Sequence, residues 1–311
     1  MATIISLINL KGGVGKTTCC VNIAGELANS HKKVLVIDMD AQANASVLIL
    51  NSENFNKTVL QKNKIDPSDS SIRSKTVYQI FRDEIYGENN FSFEDSIIKS
   101  AIKTNGKRKQ AENPLPHLDL IPATHHLQTL ELDIVTYDRT KFRILNKALK
   151  EIKDDYDIVL IDCPPNIYTA TKNALYASDF YIIPTLPDYL STSGIPLLLN
   201  QLNKIIEIKE EETEKSVKLL GILLNSVAQR TNVHRDGIQR IGNMLNSFKD
   251  GKIVDEKAVV FDSKISQTVK IKEAAGDFLP ICIYSPRSDS TTQYKLLCTE
   301  ILKQISIHKE L

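Results

Sequence analysis

Residues 4–17, IISLINLKGGVGKT, run from a mostly apolar stretch through three glycines into a helical pattern that opens on Thr17 and Thr18. A glycine turn between a strand and a helix lets the backbone approach an anion and point its N–H groups inward, and the helix behind it presents its positive end. The junction predicts a βαβ unit with a phosphate-binding loop at its strand-to-helix turn. In such a loop Gly12, Gly13, Val14 and Gly15 form the cradle and Lys16 reaches the β- and γ-phosphates of a nucleotide. The Thr17 hydroxyl holds Mg²⁺, and Thr18 completes the nucleotide-binding run.

The rest of the chain keeps the rhythm that this junction sets. Short apolar runs at Thr3–Ile8, Val34–Ile37, Leu118–Ile121, Ile158–Ile161, Phe180–Ile183, Leu219–Leu224 and Ile281–Tyr284 read as strands. Amphipathic stretches at Thr17–Ser30, Asp138–Lys153 and Ile195–Ile208 lie between them and read as helices. The pattern is that of an α/β protein: an open, mostly parallel twisted sheet with helices on both faces, whose ligands sit at the carboxyl ends of the strands. With 311 residues, 42% of them hydrophobic, the chain is long enough to bury a sizeable core, and no linker divides it. It reads as a single domain, 1–311, with a polar insertion around 51–116 that holds one helical piece near Thr76–Ile85 and an exposed, mobile loop over Lys103–Pro116.

Several classes are excluded. Lysine plus arginine (39) balance aspartate plus glutamate (38), so the net charge of +1 gives no chain-wide reason to bind nucleic acid or anionic lipid; a local patch must do it. No stretch approaches the roughly 20 apolar residues of a spanning helix, and the first apolar run lacks the flanks of a signal peptide, so a cytoplasmic protein is expected. Five cysteines without a C-x-x-C pair argue against a disulfide framework and against zinc or iron–sulfur ligation.

The glycine loop departs from the ordinary G-x-x-x-x-G-K-[ST] pattern, because Leu10 stands where its first glycine belongs. It resembles instead the deviant loop K-G-G-x-G-K-[ST]-T of the ParA/MinD family of ATPases. The resemblance implies a P-loop NTPase fold, an ATP hydrolase activity with Mg²⁺, and a homodimer in which Lys11 crosses the interface to the phosphates held by the other subunit. Without that context Lys11 reads as an exposed lysine. Within it, a cation delivered in trans stabilises phosphate charge only when two ATP-bound subunits meet.

Two carboxylate clusters follow at strand ends. VLVIDMDAQANAS resembles the family's D-x-D-P-Q-G-N stretch, with Ala41 and Ala43 where proline and glycine are usual. The resemblance assigns Asp40 to orienting the attacking water and Asp38 to the outer shell of the metal. IVLIDCPPN places Asp162 after a fully apolar run, where a carboxylate holds Mg²⁺ directly or through water. GILLNSVAQRTN resembles the stretch that meets adenine and points to Asn225, while VVFDSKISQTVKIKEA and PICIYSPRS resemble the carboxyl-terminal third of ParA proteins.

In ParA relatives, ATP dimers bind non-specific double-stranded DNA through basic residues near these last segments. The matching candidates are Arg230 and Arg235, with His234 and Arg240 beside them, and Lys264, Lys270 and Lys272; Gln267 stands where a basic residue is common. Dimerisation doubles the phosphate contacts and steepens the salt dependence. Four other classes share part of this pattern. A MinD-like membrane ATPase needs an amphipathic carboxyl-terminal helix, but the segment from Tyr294 to Ile305 reads as a domain-closing helix packed on the sheet. A positioning ATPase for a protein cargo shares every motif. An ATP-dependent amide ligase needs a substrate cluster that is not evident, and a nitrogenase-type reductase needs more than Cys163. The sequence therefore points to a ParA-type ATPase of the short type, without an N-terminal helix-turn-helix. It would be cytoplasmic and nucleoid-associated, and would be released from DNA when a centromere-binding or cargo-adaptor protein stimulates hydrolysis.

Overall fold

A computed structural model describes residues 1–60, 75–102, 114–130, 142–228 and 232–309. Seven strands form one all-parallel sheet: β1 (Thr3–Leu7), β2 (Val34–Asp38), β3 (Leu118–Ile121), β4 (Ile158–Asp162), β5 (Phe180–Thr185), β6 (Lys218–Leu224) and β7 (Val259–Val260). Their order across the sheet is β3-β2-β4-β1-β5-β6-β7. From β1 to β6 every strand residue except Lys218 is buried, which is why these strands appear as unbroken apolar runs and not as alternating ones.

The main helices are α1 (Lys16–Asn29), α2 (Asn44–Leu50), α3 (Val77–Tyr86), α4 (Ile144–Leu149), α5 (Thr169–Ala177), α6 (Ile195–Thr213), α7 (Asn232–Asp250), α8 (Val269–Gly276) and α9 (Asp289–Lys309). The expected helix over Asp138–Lys153 is shorter, beginning at Ile144 and giving way to turns after Leu149, and its residues 138–141 lie outside the described ones. The last helix buries Tyr294, Leu297, Ile301 and Ile305 against the body of the protein. It rests on α1, where the Tyr294 hydroxyl donates to Cys19 Sγ at 3.8 Å and the Cys298 thiol to the Ile23 carbonyl at 3.8 Å.

One expectation fails. Ile281–Tyr284 is a single helical turn, not a strand. Pro280 leads into it, the Ile281 N–H is taken by Asn22 Oδ1 at 2.7 Å, and Pro280 packs so closely on Gly25 that a Cβ there would lie 2.5 Å away. The turn is thereby pressed under α1, and among the described residues it pairs with no strand. The seventh strand is instead Val259–Val260, which pairs with Gly221 and Ile222 at the sheet edge. Of the insertion, residues 75–102 pack back onto the sheet, with Ile98 bridged to Leu120 and Ile97, Ala101 and Ile102 buried. The basic NGKRKQ stretch lies outside the described residues.

The register explains the placement of the site. Leu7 and Asp38 both align with Asp162, so β1, β2 and β4 end level, and the loops after them open at one edge beside the ends of β5 and β6. That edge is where an open parallel sheet binds its ligand.

Candidate nucleotide site

The glycine loop occupies this edge. Gly13 and Gly15 adopt left-handed backbone (φ +77° and +88°), which a side chain would resist. Gly15 is doubly constrained, because a Cβ there would lie 2.1 Å from Asn225 Nδ2. The Asn225 amide donates to the Val14 carbonyl at 2.8 Å, and its backbone N–H donates to the Thr185 carbonyl at 2.8 Å. Asn225 is thus a buttress joining the loop to the ends of β5 and β6. Asn9 does the same from the other side, donating from Nδ2 to the Pro184 carbonyl (2.8 Å) and accepting from the Lys11 N–H (3.0 Å).

The two lysines sit in different surroundings. Lys16 is buried and lays its Nζ on the Lys11 carbonyl at 3.1 Å. Burial pulls its pKa down, while the Asp162, Cys163 and Asp40 charges pull it back up. The half-exposed Lys11 donates from Nζ to Ser191 Oγ at 3.0 Å and lies 3.7 Å from Asp188 Oδ1. Partial burial raises the Asp188 carboxyl, but two Ser191 hydrogen bonds and the Lys11 charge outweigh it and hold the group below the usual carboxylate range.

The three strand-end aspartates differ just as sharply. Asp38 is fully buried and its oxygens are occupied: Oδ1 accepts from the Asp40 N–H (3.1 Å), and Oδ2 from the Ser46 N–H (2.8 Å) and hydroxyl (2.7 Å). Burial nevertheless pushes its pKa up to about 6, against the pull of those donors. Asp40 is half-exposed and accepts the Gln42 N–H at 2.9 Å, which folds the 40–42 turn. Ala43, which stands where the resembled stretch has glycine, takes the left-handed conformation at φ +53°.

Asp162 is the outlier. Its side chain is fully buried, and neither Oδ1 nor Oδ2 has a hydrogen-bond partner. Burial drives its pKa well up, the Asp38 charge adds to this, and the Thr17 hydroxyl and Lys16 oppose it without a full hydrogen bond being made. A buried carboxylate with two unpaired oxygens is costly to keep charged unless a cation meets it. Beside a threonine hydroxyl and a phosphate loop, that donor set fits Mg²⁺, which takes one or two carboxylates and completes its shell with phosphate oxygens and water. Among the described residues no cluster of three or more His, Cys, Asp or Glu offers a self-sufficient metal site. All five cysteines are buried and free, so Cys163 is a packing residue beside Asp162.

A cleft of about 620 Å³ opens two residues beyond Asn225, lined in part by Val227, Ser266, Gln267, Thr268, Lys270 and Gln293. Val227 and Ser266 form a parallel bridge here, so the loop leading to α7 and the segment leading to α8 start side by side. Of the basic candidates, Arg235, Arg240, Lys270 and Lys272 are exposed and Lys264 is half-buried. His234 accepts the Ala228 N–H on Nδ1 at 2.8 Å, and Arg230 lies outside the described residues. Sequence reasoning missed Asn9, Ser46, Asp188 and Ser191. Only the N-cap pattern of Asp188 and Ser191, with Ser191 N–H on Asp188 Oδ1 at 2.8 Å, left a local trace.

Comparison with known proteins agrees with this geometry. Residues 2–216 match the family model described as an AAA domain. The chain is 32% identical over 301 residues to the sporulation initiation inhibitor protein Soj of Bacillus subtilis, covering 97% of this chain and 98% of that protein. It is 27% identical over 302 residues to the chromosome partitioning protein ParA of Myxococcus xanthus, covering 97% of this chain and 88% of that protein. Among solved structures, the cobyrinic acid a,c-diamide synthase of Mycobacterium smegmatis with bound ADP and magnesium superposes with a TM-score of 0.68, over 100% of this chain and 98% of that one; at 20% identity the likeness is one of fold.

Proposed function

The chain belongs to the ParA family of ATPases, and on that premise we propose that it is an ATP-switched dimer that binds non-specific duplex DNA and lets go on hydrolysis. The observation that carries the reading is the company Lys11 keeps. A second lysine in the phosphate loop stands at the same strand edge as the unpaired Asp162 and the half-exposed Asp40.

The chemistry asks little covalent work of the protein, only a positioned water and compensation of phosphate charge. The backbone of Gly12 to Gly15 and the start of α1 bind the phosphates, and Lys16 swings from the Lys11 carbonyl to the β- and γ-oxygens. Asp162 and Thr17 would hold Mg²⁺, which when bound neutralises phosphate charge. Asp38, its oxygens spent on the Asp40 and Ser46 donors, fixes the turn behind the metal, in keeping with an outer-shell role. Asp40 orients the attacking water. Asn225 buttresses the loop and meets the adenine base, which occupies the cleft that opens two residues further on. Lys11 reaches the phosphates of the partner subunit.

The DNA surface is built from α7 and the 264–272 segment, with Arg235, Lys264, Lys270 and Lys272 as its phosphate contacts. A DNA-bound dimer of this kind sits on the nucleoid, and a centromere-binding or adaptor protein ends the cycle by stimulating hydrolysis. A membrane-binding alternative gains no support from α9, whose apolar face is already spent on packing against the body, and no helix among the described residues is long and apolar enough to cross a membrane.

Light scattering with a non-hydrolysable ATP analogue and Mg²⁺ tests the switch. The parent should dimerise, Lys16→Ala should neither bind the analogue nor dimerise, and Lys11→Ala should bind it as a monomer. Equal dimerisation of parent and Lys11→Ala would refute the trans role of Lys11.

A further inference from the structure

Another cavity opens at the opposite end of the strands from the phosphate loop. It measures about 290 Å³ and takes in Ala2 and Ile4 around the start of β1, Lys150 and Lys153 after α4, and Lys209 and Lys215 at the end of α6. Lys209 is buried, 6% exposed, and its Nζ donates to the Ser178 carbonyl at 2.6 Å, which pins the last turns of α6 to the residue that closes α5. The Tyr176 ring centre lies 5.9 Å from that Nζ. Lys150 and Lys215 are exposed and Lys153 is half-buried; among the described residues none of the three has a carboxylate within ion-pair distance. The Asp179 carboxylate on the cavity wall accepts the Ile4 N–H on Oδ2 at 2.9 Å. Burial pulls the Lys209 pKa down to about 8, with the Asp179 charge opposing the fall and the Lys215 charge adding to it.

We propose that this cavity is an acylation site, in which an acyl phosphate lays its phosphate among Lys150, Lys153 and Lys215 and transfers its acyl group to Lys209 Nζ. The lone pair of the neutral amine attacks the acyl carbon and forms the C–N bond. The C–O bond to phosphate breaks, its electron pair leaves on the phosphate, and the surplus proton on nitrogen goes with it. A dianionic acyl phosphate and an amine thus yield an amide and hydrogen phosphate. The Ser178 bond asks for one N–H, which ammonium, amine and amide all supply, so modification need not break the tie to α5. The new carbonyl oxygen is an acceptor for the surrounding ammonium groups. Three lysines without carboxylate partners favour a donor whose leaving group is a phosphate, because they stabilise the charge that develops on it. At pH 8 about half of a lysine titrating near 8 is neutral, about 150 times the fraction of one at 10.5. Nucleophilicity falls with pKa, and a Brønsted slope like the 0.4–0.5 of thiols leaves a net advantage of about 10-fold. Each exposed lysine–phosphate contact is worth a further factor of about 2 to 5. The cavity draws on no residue of the nucleotide site, so the inference stands apart from the dimer reading.

Acetyl phosphate and acetic anhydride, given separately to the full chain at about pH 8, test the site. Initial rates are read by peptide mass spectrometry, with Lys204, exposed on the same helix, as the internal reference. With the anhydride, which carries no phosphate, Lys209 should react about 10-fold faster than Lys204. With acetyl phosphate the ratio should be higher still. Lys150→Gln combined with Lys153→Gln removes two of the cations at positions that are not buried. The pair should lower the acetyl phosphate ratio by about 4- to 25-fold and leave the anhydride ratio unchanged. A ratio near one with acetyl phosphate overturns the site. Equal ratios with the two reagents, or an acetyl phosphate ratio that survives both substitutions, overturn the phosphate cradle and the proposal with it.

Discussion

Gly15→Ala tests how tightly the phosphate loop is built. Position 15 has a φ of +88°, and placing a side chain in left-handed backbone costs about 1–2 kcal/mol. The new Cβ would lie 2.1 Å from Asn225 Nδ2, so the carboxamide must move and give up its 2.8 Å bond to the Val14 carbonyl. Leaving those buried groups unpaired costs about 1–3 kcal/mol more, for a total of about 2–5 kcal/mol. Asn225→Ala alone forfeits only the hydrogen bond, about 1–3 kcal/mol. Once the carboxamide is gone, Gly15→Ala has nothing left to displace, so the double variant should be about as stable as Gly15→Ala and not lower by the sum. Chemical denaturation of the four proteins gives the coupling, expected at about 1–3 kcal/mol. Additivity within about 0.5 kcal/mol would refute the claim that Asn225 is the residue against which Gly15 is packed.

Two further substitutions probe the carboxylate side of the site. The folded Asp162 carboxyl titrates well above its unfolded value of 3.8, so its contribution to stability is fully present below that pH and is lost as the pH rises toward the folded value. Denaturation without nucleotide or Mg²⁺ should therefore show the parent losing stability relative to Asp162→Asn as the pH is raised from about 4 to 8, and a difference that does not vary with pH would contradict this. Ala43→Gly relieves left-handed backbone at φ +53°, worth about 1–2 kcal/mol, against about 0.5–1 kcal/mol of added unfolded-state entropy. The expected gain is about 0.5–1 kcal/mol in a denaturation midpoint, and a loss would show that the turn holds alanine without strain.

What the sequence disclosed and what it hid follow from the range of the interactions involved. Strands buried on both faces write themselves as apolar runs, so six of the seven were legible, and the polar residue closing a run, Asp38 or Asp162, marked the ligand edge. The Ile281–Tyr284 run misled because an apolar tetrapeptide looks the same in a strand and in a helical turn pressed under α1; only Asn22, far away in the chain, decides. Val259–Val260 was invisible as a strand because two residues carry no period. The phosphate loop was readable because its determinants are contiguous. The contacts of Lys11 with Asp188 and Ser191 were not, since Ser191 lies 180 residues from Lys11, and locally Asp188 and Ser191 announce only a helix cap. Asp38 shows the same limit: its rank in the motif was clear, but the two Ser46 donors that occupy its Oδ2 come from the next helix.

The most direct test of the central claim is retention of the protein on non-specific duplex DNA at two salt concentrations, with ATP, with ADP and without nucleotide, using Asp40→Ala to hold the ATP state. The switch predicts retention only with ATP, lost steeply as salt rises because a dimer doubles the phosphate contacts. Equal retention with ATP and ADP, or none under any condition, would contradict it.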